Sequence, residues 1–302
     1  MNHQYEDTSN PKHHAIAGAL TGLVEYSAMY PLDFIKTRMQ VLKPHPDAVY
    51  ANIISGVMQI IKDEGVFKFF RGLPAPFIFS IPAHALYYVT YEKMKRILSG
   101  TEGGYENPLA QGAAGALAIT NHNIVMNPAD VIKQRMQVHS STYKNSLQCF
   151  THVIRTEGWK ALYRSLPTQM AIDAPYGAIH FVTYELCQNI SNPSRVFDAK
   201  SHLISGAIAG GVAAAATNPL DVCRTLLNTQ ENAVIPKSEG KVIRGLAQAA
   251  VVVYKTHGLR GFIRGLRPRV VFHMPSVAFC WIIYEFFKRY FLTKESKVLV
   301  PE

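Results

Sequence analysis

One short cluster recurs three times along the chain. Proline stands two positions before an aspartate and five before a basic residue at Pro31-Asp33-Lys36, Pro128-Asp130-Lys133 and Pro219-Asp221-Arg224, at intervals of 97 and 91 residues. Three recurrences in 302 residues define a triplicated unit whose copies stack on one another instead of folding alone. The expected division is a tail over 1–11, then repeats over 12–104, 105–198 and 199–302, forming one domain with pseudo-threefold symmetry. Each cluster closes an apolar stretch rich in small residues. Charge then falls where a membrane-spanning helix meets a constriction or an interface, and such placement points to transport.

Composition narrows the class further. Hydrophobic residues make up 48% of the chain and charged residues only 17%, against about 25% in an average soluble domain. The net charge of +10 suits a membrane protein facing anionic lipid. It also fits a nucleic-acid binder, but the basic residues form no stripe interleaved with aromatics, so no nucleic-acid partner is expected. Cys149, Cys187, Cys223 and Cys280 lie singly, with neither a zinc-type pair nor a dense disulfide framework, and read as packing thiols. Residues 1–11 hold Glu6 and Asp7 and no arginine, unlike a secretory signal or a cleavable presequence.

Each unit shows the same order of elements. Long helices are expected over 12–40, 108–138 and 200–229, and again over 73–98, 166–190 and 267–292. Short amphipathic helices around 51–63, 144–156 and 243–256 lie between them, along the membrane surface. Helices alone satisfy the backbone in lipid at these lengths. Gly18 and Gly22, Gly206 and Gly210, and more loosely Gly112, Gly115 and Ala118 supply small faces for close helix approach. Pro82, Pro175 and Pro275 sit at matched depth and are expected to bend the second long helix of every unit alike.

Two layers of charge follow from this order. Asp33 and Lys36, Asp130 and Lys133, and Asp221 and Arg224 share a helix face, and around an axis each aspartate is placed to pair with the neighbouring unit's cation. At the opposite ends of the other long helices stand Tyr91-Glu92 with Lys95, Tyr184-Glu185 with Gln188, and Tyr284-Glu285 with Lys288. Two networks that form and break in alternation give a cavity open to one side or the other.

Across essentially the whole chain, Pro-x-Asp-x-x-Lys/Arg resembles the mitochondrial carrier family. With it come the turns Glu64-Gly65, Glu157-Gly158 and His257-Gly258, then Phe70-Arg71-Gly72, Tyr163-Arg164-Ser165 and Ile263-Arg264-Gly265. The resemblance implies an all-α membrane protein of six tilted transmembrane helices and three short matrix helices, with a central substrate site and alternating access. It also implies a multi-pass carrier of the mitochondrial inner membrane and not an enzyme, working as a monomer in lipid that includes cardiolipin, with no cofactor. By the same resemblance Gln40 and Gln137 are glutamine braces of the matrix-side pairs, with Asn228 at the third position. Leu226 stands where Arg38 and Arg135 stand, and His257 replaces the acidic residue, which implies a weaker third matrix gate. More narrowly, Pro82-Ala83-His84-Ala85, Val125-Met126-Asn127-Pro128, Lys133-Gln134-Arg135-Met136-Gln137, Ile179-His180-Phe181 and Thr225-Leu226-Leu227-Asn228-Thr229-Gln230 resemble the family's ferrous-iron branch, the mitoferrins. Tyr26 and Ile172-Asp173 depart from that pattern.

Helical periodicity independently nominates a cavity lining. Counting back from the aspartates reaches Met29 and Tyr26, then Met126 with His122 adjacent; counting back from the Tyr-Glu pairs reaches His84, then Gly177 and Ala174 flanked by Asp173 and His180, then Met274 flanked by His273. A phosphate or carboxylate substrate needs arginine or lysine in mid-cavity, and only Arg269 and Arg267 fall near it. Imidazole, thioether and carboxylate suit a divalent first-row metal, held by few ligands so that it is released. The expected activity is ferrous-iron transport into the matrix for haem and iron–sulfur synthesis, with His84, Met126 and Asp173 at mid-cavity. The alternatives are a carrier of the same fold for a nucleotide, a cationic metabolite or another divalent metal, and a helical-repeat scaffold at a membrane surface.

Overall fold

The structure, a computed structural model, describes residues 27–41, 50, 52–99, 108–139, 141–193, 198–230 and 243–274. Tyr26, Tyr284, Glu285 and Lys288, with Gly18, Gly22, Pro275 and Cys280, lie outside the described residues. Among the described residues every regular element is helical. Helix α1 covers 27–40. It is followed by α2 (Ile53–Glu64), α3 (Pro74–Ser99), α4 (Pro108–Gln137), α5 (Ser146–Glu157), α6 (Leu166–Ser191), α7 (Ala199–Ala216), α8 (Asn218–Thr229) and α9 (Leu246–His257). Helix α10 covers 266–274. Single 3-10 segments, Val66–Phe70, Trp159–Tyr163 and Gly258–Ile263, lead from each short helix toward the next long one.

Three apolar clusters at matched positions fasten the short helices to the long ones. Phe34 and Ile35 of α1 pack with Ile60 of α2. Val131 and Ile132 of α4 pack with Cys149 and Val153 of α5, and Val222 and Cys223 of α8 with Ala249 and Val253 of α9. Eight positions before Glu64, Glu157 and His257 stand Gly56, Cys149 and Ala249, all buried and all small, which lets each short helix lie close against its partner. Asn52 and Asn145 cap α2 and α5 by accepting the amides of Ser55 and Gln148, each at 2.8 Å.

Glycine is required where each short helix ends. Gly65, Gly158 and Gly258 have φ of 85°, 78° and 61°, with ψ of 161°, 172° and −152°. A side chain is strained in that region.

The first long helix of the third unit differs from expectation. In place of one helix over 200–229, α7 and α8 meet at Thr217 with a bend of 65°. Pro219 has no amide to continue the ladder, and at the corner the Thr217 amide and hydroxyl both donate to the Ala213 carbonyl, at 3.1 and 2.8 Å. In the second unit α4 runs through Pro128 as one helix, and α3 and α6 run through Pro82 and Pro175. Gly210 and Gly211 of α7 lie against α10: a Cβ built at Gly210 comes 3.5 Å from the His273 carbonyl oxygen, and one at Gly211 comes 3.1 Å from the Met274 side chain. At Gly112 and Gly115 no atom lies within 4 Å of such a Cβ among the described residues.

Apolar side chains face outward in stripes, such as Ile204, Ile208 and Val212 on α7 and Phe181, Val182, Leu186 and Ile190 on α6. Among the described residues no single helix is long and apolar enough to cross a membrane, while α7 and α8 together are, across their bend.

The glycine geometry predicts a contrast. Gly158→Ala has open space around its new methyl group yet takes on backbone strain of about 1–3 kcal/mol, whereas Gly112→Ala, inside α4 and also in open space, gains about 0.5–1 kcal/mol of helix propensity. Thermal unfolding of the detergent-purified protein should fall for the first and hold or rise for the second.

Candidate transport gate and cavity lining

The three clusters close into a ring. Lys133 Nζ of α4 meets Asp33 of α1 at 2.6 Å. Arg224 Nη2 of α8 meets Asp130 of α4 at 2.6 Å. Lys36 Nζ of α1 meets Asp221 of α8 at 2.9 Å. Every aspartate therefore takes its cation from the next unit, and α1, α4 and α8 are tied in a circle. Gln40 Nε2 donates to Asp221 at 2.8 Å while its Oε1 accepts from Thr225 at 2.8 Å. Gln137 Nε2 donates to Asp33 at 3.4 Å. Asn228, at the third position, donates to Gln134 at 2.9 Å instead.

A second set of pairs, unforeseen from sequence, surrounds the ring. The Arg38 guanidinium grips the Glu64 carboxylate with two nitrogens and donates Nε to the Gln137 carbonyl at 2.9 Å. Arg135 repeats this with Glu157 and the Asn228 carbonyl, the latter at 3.0 Å. Each arginine thus joins its own unit's short helix to the C-terminal carbonyls of the next unit's long helix, where a cation is favoured. In the third unit both partners are replaced together. Leu226 is buried in the apolar cluster of α8 and α9, and His257 Nε2 lies 2.7 Å from Arg264 Nη1. Two separate departures in sequence are therefore the loss of one pair, and their joint occurrence was the available signal.

Burial pushes the Glu64 carboxyl up, but the Arg38 hydrogen bonds and charge, then those of Lys68, overcome it and hold it down at about 2. Glu157 behaves alike: burial raises it and the Arg135 hydrogen bond and charge bring it below the ordinary glutamate value. Residues preceding the three prolines add a further repeated contact. Tyr30 donates to the Arg71 carbonyl at 2.9 Å, Asn127 to the Leu162 carbonyl, and Asn218 to the Phe262 carbonyl at 2.7 Å, anchoring the turn before each following long helix.

The candidate lining falls into separate groups. His84 is exposed on α3, its Nδ1 2.7 Å from the Ser80 carbonyl oxygen, and its ring stands edge-on to His122 of α4 with centroids 5.1 Å apart. Asp173 of α6 accepts from Asn123 of α4 at 2.6 Å and from Gln169 at 2.5 Å. Tyr176 reaches His273 Nδ1 at 3.3 Å and stacks on His180. Met29 and Met126 are buried, and Met274 is exposed. Among the described residues no three His, Cys, Asp or Glu side chains converge as a metal cluster.

At the other ends of α3 and α6, Glu92 is exposed, Lys95 Nζ lies 5.9 Å over the Tyr91 ring, and Glu185 is half-buried. Gln188 is buried and lies 3.2 Å from His202 Nδ1, which the Tyr184 hydroxyl also meets at 2.5 Å. His202 escaped the sequence reading because it starts α7, outside the counted face.

Tandem units tied by ion pairs that cross from one unit to the next, with polar groups inside and apolar stripes outside, define a membrane carrier. The chain belongs to the mitochondrial carrier family: the model of that family, described as mitochondrial carrier protein, matches residues 7–102, 105–194 and 197–295. Carriers of this family are multi-pass proteins of the mitochondrial inner membrane and are not enzymes. Among its relatives the chain is similar to Mitoferrin-1 of Homo sapiens, 46% identical over 94% of this chain and 84% of that protein. It is likewise similar to Mitoferrin of Caenorhabditis briggsae, 45% identical over 91% of this chain and 90% of that one. Mitoferrin of Dictyostelium discoideum is 34% identical over 91% and 92%.

The brace can be tested by transplanting the third unit's residues into the second. Breaking it with Arg135→Leu leaves the half-buried Glu157 carboxylate with Arg164, 3.5 Å away, and removes its charged hydrogen bonds, which should cost about 2 kcal/mol, whereas Arg135→Leu with Glu157→His should be clearly less destabilised than either single change. Thermal unfolding of the four proteins gives the coupling directly.

Proposed function

We propose that this chain carries ferrous iron across the mitochondrial inner membrane into the matrix by alternating access, supplying haem and iron–sulfur synthesis. The observation that carries the reading is 46% identity with Mitoferrin-1 of Homo sapiens over 94% of the chain. The side chains support it independently. Lys36, Lys133, Arg224 and Arg269 are each engaged with a ring aspartate, so these cations are already committed and not offered to an anionic solute. The candidate lining offers imidazole, thioether and carboxylate, the donors that suit a divalent first-row ion.

In this reading six helices span the membrane with pseudo-threefold symmetry, one repeat each over 12–104, 105–198 and 199–302. The ring of ion pairs is the matrix gate, with Gln40 and Gln137 as its braces. The Tyr-Glu layer at Tyr91, Glu92, Lys95, Tyr184, Glu185, Gln188, Tyr284, Glu285 and Lys288 is the gate on the other side. His84 Nδ1 lies 2.7 Å from the Ser80 carbonyl oxygen, and an Nδ1–H donated there leaves Nε2 to face the metal. Asn123 and Gln169 fix the Asp173 carboxylate from both sides, so its charge compensates the ion. Met126 supplies a soft third donor. The carrier works as a monomer in lipid that includes cardiolipin, with iron as cargo and no resident cofactor.

Uptake of Fe(II) by proteoliposomes under reducing conditions tests the reading. Wild-type protein should take up iron above empty vesicles, and His84→Ala should lower the rate at least tenfold. Saturable nucleotide counter-exchange without metal dependence would contradict it.

A further inference from the structure

The three gate aspartates are not served equally. Asp33 and Asp130 each meet one cation among the described residues, but Asp221 Oδ2 receives three donors: Lys36 Nζ at 2.9 Å, Gln40 Nε2 at 2.8 Å and Arg269 Nη1 at 3.0 Å. Arg269 comes from α10 and has only 3% of its side chain exposed. It also donates Nη1 to the Thr217 carbonyl at 3.2 Å and Nη2 to the Thr217 hydroxyl at 2.8 Å. Thr217 is the residue at which α7 and α8 bend by 65°. One guanidinium therefore holds a gate carboxylate and the corner of the helix that carries it.

This contact sits in the unit that lacks the outer brace. Arg38 and Arg135 bind the next unit's helix end in the first two units, while Leu226 in the third points into an apolar cluster. We propose that Arg269 is the positioning residue of the third seam: it takes the place of the missing arginine–glutamate brace by fixing Asp221 and the α7–α8 corner, so that the ring shuts between the third unit and the first. A fork of fixed geometry is needed to hold a carboxylate and a threonine carbonyl and hydroxyl together, and lysine has none. The inference rests on reading the ring as a gate and not on the identity of the cargo. Removing Arg269 leaves Lys36 and Gln40 on Asp221 but frees the corner, and the carrier then lingers with this end unsealed.

The test uses proteoliposome uptake of Fe(II) with the full chain. Arg269→Gln should lower the maximal rate about tenfold with KM within twofold of wild type, because the gate and not the cargo contact is changed. Arg269→Lys should recover only part of the loss, and Thr217→Val, which removes one acceptor and keeps the ion pair, should lower the rate twofold to fivefold. Adding Leu226→Arg and His257→Glu to Arg269→Gln rebuilds the brace of the other two units and should restore at least half of the wild-type rate. Wild-type rate in Arg269→Gln would overturn the proposal, as would a rise in KM equal to the fall in rate, which makes Arg269 a cargo contact. Failure of the rebuilt brace to restore any transport, in protein whose thermal unfolding matches wild type, would also overturn it. Absence of transport by the wild-type protein would instead sink the function proposed above.

Discussion

Three inter-unit ion pairs govern the rest of this structure. Lys133 with Asp33, Arg224 with Asp130 and Lys36 with Asp221 link helices that share no short sequence connection, and the ring exists only because each unit offers an anion to one neighbour and a cation to the other. Pairs of this kind are poor sources of stability, since removing two charges from water costs about as much as their attraction returns. That near balance is what a gate requires. A ring that contributed a large net stability could not be opened by binding of one small ion, whose influence on the equilibrium is limited to its differential affinity for the two states.

Around this breakable ring lie contacts with the opposite character. The apolar clusters of Phe34, Ile35 and Ile60, of Ile132, Cys149 and Val153, and of Cys223, Ala249 and Val253 bury surface in dense packing that favours rigid-body movement over continuous deformation. The Tyr30, Asn127 and Asn218 contacts to the turns before the following helices extend each body from one long helix to the next. A unit thus moves as a piece, and the ion pairs lie at the seams between pieces. The seams are not alike: two carry an outer arginine–glutamate brace and one does not, so a threefold pattern in sequence becomes an unequal ring in structure.

Much of this was legible in the amino-acid sequence because it repeats. The i, i+3 spacing of aspartate and cation fixes their common face, and closure of three such faces names the partners; the short helices followed from their apolar spacing to within a few residues. Contacts that depend on which face meets which neighbour were not legible. Arg38 and Glu64 are separated by 26 residues, and nothing local joins them; only the simultaneous replacement by Leu226 and His257 hinted at a pair. Pro128 and Pro219 look equivalent in sequence, yet α4 passes through the first as one helix and the third unit bends by 65° just before the second. At the bend Arg269 holds Thr217, a tertiary contact that no local pattern encodes. Periodicity likewise placed Asp173 on an inner face but could not say that Asn123 and Gln169 hold it.

Charge exchange across one seam tests most directly whether the ring is the gate. Uptake is compared for wild type, Asp130→Arg, Arg224→Asp and the protein carrying both changes, at matched amounts of folded carrier in liposomes. The account predicts that each single reversal abolishes uptake, because like charges then face each other, and that the double exchange regains a substantial part of it. Single reversals that transport as wild type, or a double exchange no better than the singles, would contradict it.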